Sequence, residues 1–357
     1  MKILPILLAA IISLPVSAQL RQQRAAADSL FQHYNTSETT GISVLVVRNG
    51  KKLYDRSFGY ADIARHRKAA ATTNYRIASV TKSFTAMAIM LLRDEGKLSL
   101  DDPLTRFFPQ LAAFGRNITI RQMLLHTSGL VSYGDILPAP PTVPLKDADV
   151  LRLLETQDTT RFPPGSRFDY SNTGYVLLGL IVEKTSGMPF PEFLRQRIFQ
   201  PLGMKNATVN SLTDSIPNRA YGYNLEKGTL VPKDQSMFSY LLGDGGVYSS
   251  TSDFYRWDQA LYTHQLVSAA TLREIFTPGS SPSPTLGYGY GWEIDRKYGL
   301  ERVMHTGGTS GFSSYYVRYP EKKFSIILFA NQNTGLALDP IAQSLEKIFL
   351  SEAAGQP

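Results

Sequence analysis

The chain has 357 residues, 43% of them hydrophobic and 19% charged, which supplies enough apolar material for a packed core and excludes wholesale disorder. Lys and Arg (37) outnumber Asp and Glu (30) for a formal charge of +7, but the densest basic run, Arg65-His66-Arg67-Lys68, lacks interleaved aromatics and reads as a solvated loop, not a nucleic-acid surface. Cysteine is absent, which excludes disulfides, iron–sulfur clusters and thiolate zinc sites.

At the N-terminus, Met1-Lys2 precedes an apolar stretch, Ile3 to Leu14, then Pro15 and Val16-Ser17-Ala18. This is the form of a secretory leader, residues 1–18, cut before Gln19. The apolar run is short of the ~20 residues a spanning helix needs, and no Cys follows to carry a lipid. Cleavage removes one Lys and no acid, so +7 becomes +6. No later stretch approaches the length of a membrane span, so no stable membrane insertion is expected. An exported chain without cysteine suits a bacterial envelope, periplasmic or secreted. On that reading the triplets at Asn35, Asn117 and Asn206 are chance glycosylation matches. Residues 19–357 are expected to form a single domain.

Residues 19–40 are polar and predict helix. Gly41 to Val47 is a β-branched run, and Asn49-Gly50 inside Arg48–Lys51 signals a hairpin that returns over Leu53 to Gly59. A helix is predicted from Ser79 to Glu95, with Phe84, Met87 and Leu91 on one stripe and Gly96 ending it. Residues 97–235 read as a mostly helical insert with Pro-rich loops. Within it, Thr119 to Gln122 is a capping box. Tyr175 to Lys184 is a nearly all-apolar helix stopped by Gly187, and Pro191 suits a first helical turn. Thr251 to Leu261 is amphipathic through Phe254, Trp257 and Leu261. Strands are predicted at Glu301–His305, Phe312–Tyr319 and Phe324–Phe329, with a turn over Pro320–Lys323. A terminal helix then carries Ile341, Leu345, Ile348 and Phe349 on one face. The order of strands, helices, strands and helix predicts an α+β fold. Its antiparallel sheet is built from N- and C-terminal strands, flanked by helices and interrupted by the helical insert.

Three segments carry groups suited to chemistry. Ser79-Val80-Thr81-Lys82 opens a helix, and a spacing of three puts hydroxyl and amine on one face. An amine so placed can take the hydroxyl proton, and the helix start offers N–H groups to a developing anion. Alone, the tetrapeptide also fits a capped surface helix. Tyr170-Ser171-Asn172 supplies a phenol for proton transfer and an amide that both donates and accepts, though it also fits a turn capping the next helix. His305-Thr306-Gly307-Gly308 stands at a predicted strand end, where glycines admit a close ligand and bare N–H groups, or merely make a bend.

Together and in this order, the three segments resemble the serine β-lactamase and penicillin-binding protein superfamily. The likeness is to its class C β-lactamase-like branch, which holds esterases, D-aminopeptidases and D,D-peptidases. Further segments share it: Arg76-Ile-Ala-Ser-Val-Thr-Lys-Ser-Phe84, Gly96-Lys-Leu-Ser-Leu-Asp-Asp-Pro103, Leu124-Leu-His-Thr-Ser-Gly-Leu130, Tyr170-Ser-Asn-Thr-Gly-Tyr175 and Pro201-Leu-Gly-Met204. The resemblance spans about residues 40 to 350. It implies a β-lactamase/transpeptidase-like fold, Ser79 as the acylated nucleophile, Lys82 as its base partner and Tyr170 as second proton carrier. It further implies that Asn172 holds Lys82 or a substrate amide, and that the N–H groups of Ser79 and Gly308 form an oxyanion hole. Many relatives carry Lys-Thr-Gly where this chain has His305-Thr306-Gly307. A Lys there is a fixed cation for a substrate carboxylate, whereas a His with pKa near ~6.5 is mostly neutral at pH 7.

The remaining histidines, His33, His66 and His264, are scattered, and His126 reads as a structural residue closing a short helix. No His-Glu-x-x-His, Gly-x-Ser-x-Gly or phosphate-binding loop occurs, so no metal, cofactor or nucleotide is expected. The expectation is an exported serine hydrolase acting on a small-molecule or peptide ester or amide. The rivals are a true β-lactamase or D,D-carboxypeptidase, and a non-catalytic peptidoglycan-binding or sensor module.

Overall fold

The computed structural model describes residues 16–35 and 39–350. Of the expected leader, only Val16–Ala18 fall inside it, in the first turn of the helix Val16–Ser29; residues 1–15 lie outside the described residues.

The central element is an eight-stranded sheet in the order Ser280–Ser283, Leu286–Tyr288, Glu293–Lys297, Leu300–Thr309, Phe312–Tyr319, Phe324–Ala330, Ile42–Arg48, Lys51–Phe58. All neighbours run antiparallel. The N-terminal hairpin therefore joins the sheet beside its last strand, in the register Ile42 to Ala330 through Arg48 to Phe324. Asn49 and Gly50 both have positive φ, 50° and 72°, which is the turn that matches the twist of paired strands.

Side-chain alternation gives each strand two apolar faces. Leu45, Val47, Ile327 and Phe329 point to one core, and Val44, Val46, Ile326 and Leu328 to the other. The first core is closed by the helices Lys82–Asp94, Asn172–Ser186 and Thr251–Ala260 through Phe84, Ile181 and Trp257. The second is closed by Val16–Ser29 and Leu338–Phe349 through Ala27, Leu345 and Phe349. No helix among the described residues is long and apolar enough to cross a membrane.

The α+β arrangement is as the sequence predicts, with three differences. The strands Ser280–Ser283, Leu286–Tyr288 and Glu293–Lys297 extend one edge of the sheet beyond the predicted elements. The edge strand Ser280–Ser283 tolerates Pro282 and polar side chains, and Glu293–Lys297 has one apolar residue, Ile294, so neither shows the apolar alternation that marks a strand. The strand expected to end at His305 runs on through Gly307 and Gly308 to Thr309, paired with Phe312–Tyr316; the turn falls instead at Gly311, with φ of 65°. Finally, the mostly helical insert contains a hairpin, Tyr223–Glu226 with Thr229–Pro232, turned at Lys227 and Gly228.

Candidate active site

Ser79 lies in the tight turn that precedes the regular helix rather than in the helix itself. Ala78–Thr81 is a 3-10 turn, and the α-helix begins at Lys82. Ala78 itself has φ of 48°, a left-handed conformation rare for a residue with a Cβ. The turn is gripped from two sides. Ile77 N–H donates to Val247 O (3.0 Å) and Thr81 Oγ1 accepts from Val247 N–H (3.1 Å). From the sheet, Ser314 Oγ donates to Ile77 O (2.7 Å). Gly307 packs so closely on Ile77 O and the Ser314 hydroxyl that a Cβ there would collide with both. This close approach is the physical reason for a glycine in that strand, and it brings Gly308, the next residue along, to the nucleophile's turn.

The Lys82 side chain is fully buried, yet each of its amine hydrogens has an acceptor: Ser79 Oγ at 3.2 Å, Asn172 Oδ1 at 2.8 Å and Asp244 O at 2.9 Å. A lone buried amine would be costly; three acceptors make this one tenable. The amine also lies 4.9 Å from the centre of the Tyr170 ring and 5.4 Å from that of Tyr175. Asn172 starts the helix Asn172–Ser186, capped by Ser171 Oγ accepting from Gly174 N–H (3.2 Å). Its carbonyl is committed to Lys82, which leaves its NH2 as the donor. Tyr170, just ahead of the cap, is 39% exposed and stands over the amine. Ser79 is half-buried at the same place.

His305 is buried behind Tyr170, their ring centres 6.3 Å apart. The Thr306 carbonyl only accepts, so the bond at Nδ1 (2.6 Å) places the proton on Nδ1, and Nε2 accepts from Tyr288 OH (3.1 Å). Both ring nitrogens are thus occupied within the protein. Burial first, and the Lys82 charge second, push the imidazole down to about 3, so it is neutral at ordinary pH.

The structure therefore brings Ser79, Lys82, Tyr170 and Asn172 together, with Gly308 beside them and His305 behind. It adds residues not expected in the site: His126, which the sequence suggested only as a structural residue closing a short helix, Tyr288 and Asp244. His126 lies under Tyr170, with ring centres 4.3 Å apart, and Tyr288 packs on both. Asp244 presents its carbonyl to Lys82, and its carboxylate accepts from Tyr133 OH (3.4 Å). Burial raises the Asp244 carboxyl against the opposing pull of Lys82 and Arg76. The usable signal for Asp244 was its neighbourhood, Gly243 to Gly246. A Cβ at Gly243 would strike Tyr175 O, and one at Gly246 would come within 2.7 Å of Leu242 Cα. Such glycines mark close backbone approach. Among the described residues no group of three His, Asp or Glu side chains is arranged to hold a metal ion.

Against models of protein families, residues 27–347 match the one described as Beta-lactamase. The chain belongs to the beta-lactamase family. Penicillin-binding protein 4* of Bacillus subtilis (strain 168) is 33% identical over 329 residues, covering 87% of this chain and 72% of that protein. Among solved structures, an octameric penicillin-binding protein homologue from Pyrococcus abyssi superposes with a TM-score of 0.79 at 29% identity, covering 94% of this chain and 77% of that one. The D-amino acid amidase of Ochrobactrum anthropi SV3 superposes with a TM-score of 0.77 at 25% identity, covering 92% and 98%. This beta-lactamase-family chain is thus similar both to proteins named as penicillin-binding and to one named as a D-amino acid amidase.

Proposed function

We propose that the protein is an exported serine hydrolase that cleaves an ester or amide through an acyl-enzyme on Ser79. The observation that carries this reading is the enclosed Lys82 amine 3.2 Å from Ser79 Oγ, held from behind by Asn172 and Asp244. In the first half-reaction Lys82 acts as the neutral amine, its two hydrogens held by Asn172 Oδ1 and Asp244 O and its lone pair facing Ser79 Oγ, so that it takes the Ser79 proton as Oγ attacks the acyl carbon. The negative charge on the acyl oxygen is met by the N–H groups of Ser79 and Gly308. Tyr170, exposed on the open side of the amine, returns the proton to the leaving alcohol or amine. Water then attacks the ester on Ser79 by the same relay in reverse.

The neutral His305 favours acyl substrates without a carboxylate at that position, since residue 305 supplies no fixed cation. The amidase relative supports an amide; the penicillin-binding relatives support the second reading, a D,D-peptidase or β-lactamase. A panel of p-nitrophenyl esters, D-amino acid amides and nitrocefin against purified protein separates them. Ester or amide turnover with a higher kcat/KM than nitrocefin is expected. Faster nitrocefin turnover overturns the substrate assignment, and no turnover with an unlabelled Ser79 favours a non-catalytic module. Export is tested by N-terminal sequencing of protein from the native host, with Gln19 as the expected first residue; a membrane-bound species retaining residues 1–18 contradicts it.

A further inference from the structure

Tyr170 is 39% exposed. Beneath it, one residue holds the chain on both of its sides. The His126 carbonyl accepts from Asp169 N–H (2.8 Å), and His126 Nδ1 accepts from Ser171 N–H (2.9 Å). The two N–H groups belong to the residues on either side of Tyr170. The His126 ring lies 4.3 Å from the Tyr170 ring at 31°. We propose that His126 is a positioning residue for Tyr170, holding the N–H groups of the flanking residues Asp169 and Ser171 and backing the ring so that the phenol stays over Lys82. The inference rests on the reading of Tyr170 as a proton carrier.

The backbone gives an independent reason to assign the side chain a task. The helix Ile120–Leu124 ends with Thr127 N–H bonded to Gln122 O (2.8 Å) and His126 N–H to Met123 O (3.3 Å). That pair of bonds is a Schellman turn, whose left-handed position takes Gly or Asn by preference. Here it is filled by His126 with φ of 57°. A strained conformation is retained where the surroundings require it. It turns carbonyl and imidazole toward the same three residues, Asp169 to Ser171. The imidazole is fully buried among Tyr170, Tyr175, Tyr288 and Phe168. Burial, then the Lys82 charge, then His305 hold it well below its ordinary value, so Nδ1 remains an acceptor.

Two substitutions separate the contributions. His126→Phe keeps a ring and removes the acceptor; His126→Asn keeps an acceptor and suits the left-handed backbone. Each is measured on the fastest substrate of the panel above, alone and in a Tyr170→Phe background. His126→Phe is expected to lower kcat about tenfold or more with a smaller change in KM, because misplacement of a proton carrier costs rate more than binding. His126→Asn is expected to recover most of that loss. In the Tyr170→Phe background, His126→Phe is expected to cost less than about twofold further, because its effect passes through the missing hydroxyl. Should His126→Phe not fold, His126→Gly, which the left-handed backbone accepts, replaces it in the cycle. An equal loss in both backgrounds, or an unchanged kcat in the folded single variant, overturns the proposal. A Tyr170→Phe enzyme with wild-type kcat instead overturns the underlying assignment of Tyr170, and the proposal with it.

Discussion

Behind the sheet, the helices Val16–Ser29 and Leu338–Phe349 cover an almost wholly apolar core of Phe31, Val44, Val46, Ile326, Leu328, Leu345 and Phe349. Its buried carboxylate, Glu346, is answered by Lys297 (2.6 Å) and Tyr319 OH (2.8 Å). In front of the sheet, the packing around Phe84, Trp257 and Phe329 is interrupted by Arg76, Lys82, His126, Asp147, Asp244 and His305, all buried. Each of these carries a desolvation cost that apolar residues of similar volume would not. Arg76, for example, is held by Ser239 Oγ (2.6 Å), Ser239 O (2.9 Å) and Gly245 O (3.1 Å), on the segment that also supplies Asp244 to Lys82. The contrast separates the two faces by role. The rear face holds the sheet together, and the front face holds polar groups where chemistry needs them.

The largest expected effects break the front face. Ser79→Ala should lower kcat by about 10⁴-fold or more on the best substrate, with the fold intact by circular dichroism. Wild-type turnover in that variant would remove the nucleophile assignment. Tyr170→Phe should cost about 10²- to 10⁴-fold in kcat, the range for a positioned proton carrier. Its exposed side chain predicts little change in melting temperature. Steady-state kinetics and a thermal melt on the same preparation check both halves.

The matching test on the rear face is Leu345→Ala. Leu345 is fully buried, so the substitution should destabilise by about 2–5 kcal/mol in urea unfolding. Activity per folded molecule should remain at the wild-type level. A fall in kcat comparable to that of Tyr170→Phe would show that the two faces are not functionally separate.

Smaller effects concern His305. His305→Lys should raise kcat/KM for a carboxylate-bearing cephalosporin relative to p-nitrophenyl acetate by about fivefold or more at pH 7 to 8, since a cation near a carboxylate supplies roughly 1–4 kcal/mol at 4 Å. An unchanged ratio in folded, Ser79-labelled protein would show that charge at this position does not select substrate. The native imidazole also predicts a pH effect on stability. Its folded value, about 3, lies below the unfolded ~6.5, so between these values the unfolded chain binds the extra proton and stability falls as pH falls. Relative to His305→Gln, the wild type should lose on the order of 1 kcal/mol per pH unit from about 6 to 4. Parallel urea titrations of the two proteins measure it; identical slopes would contradict a buried neutral imidazole.

Where structure repeats, the sequence was informative. The short apolar run Phe324–Ala330, the Asn49-Gly50 turn and the apolar run of Tyr175–Val182 each report a local rule, and the helices and central strands follow them. Ser280–Ser283 escaped because an edge strand need not bury alternate residues, and Glu293–Lys297 because Ile294 is its one apolar residue. Ser79 and Lys82 were legible from a spacing within one turn. Tyr170, Asn172, His305 and Gly308 were legible only through the resemblance of their motifs, because their meeting depends on contacts between distant parts of the chain. His126 and Asp244 are single side chains brought in by separate loops and Tyr288 by a three-residue strand, with no periodicity to mark them. Only the glycines beside Asp244 and Tyr288 hinted at crowding.

The central claim, an acyl-enzyme on Ser79, is tested most directly by mass spectrometry of the intact protein after brief exposure to a fluorophosphonate or a slow acylating substrate, followed by peptide mapping. The account predicts one adduct per chain, located on Ser79 and absent from Ser79→Ala. An adduct on another residue, or hydrolysis of the best substrate by protein whose Ser79 is never modified, would contradict it.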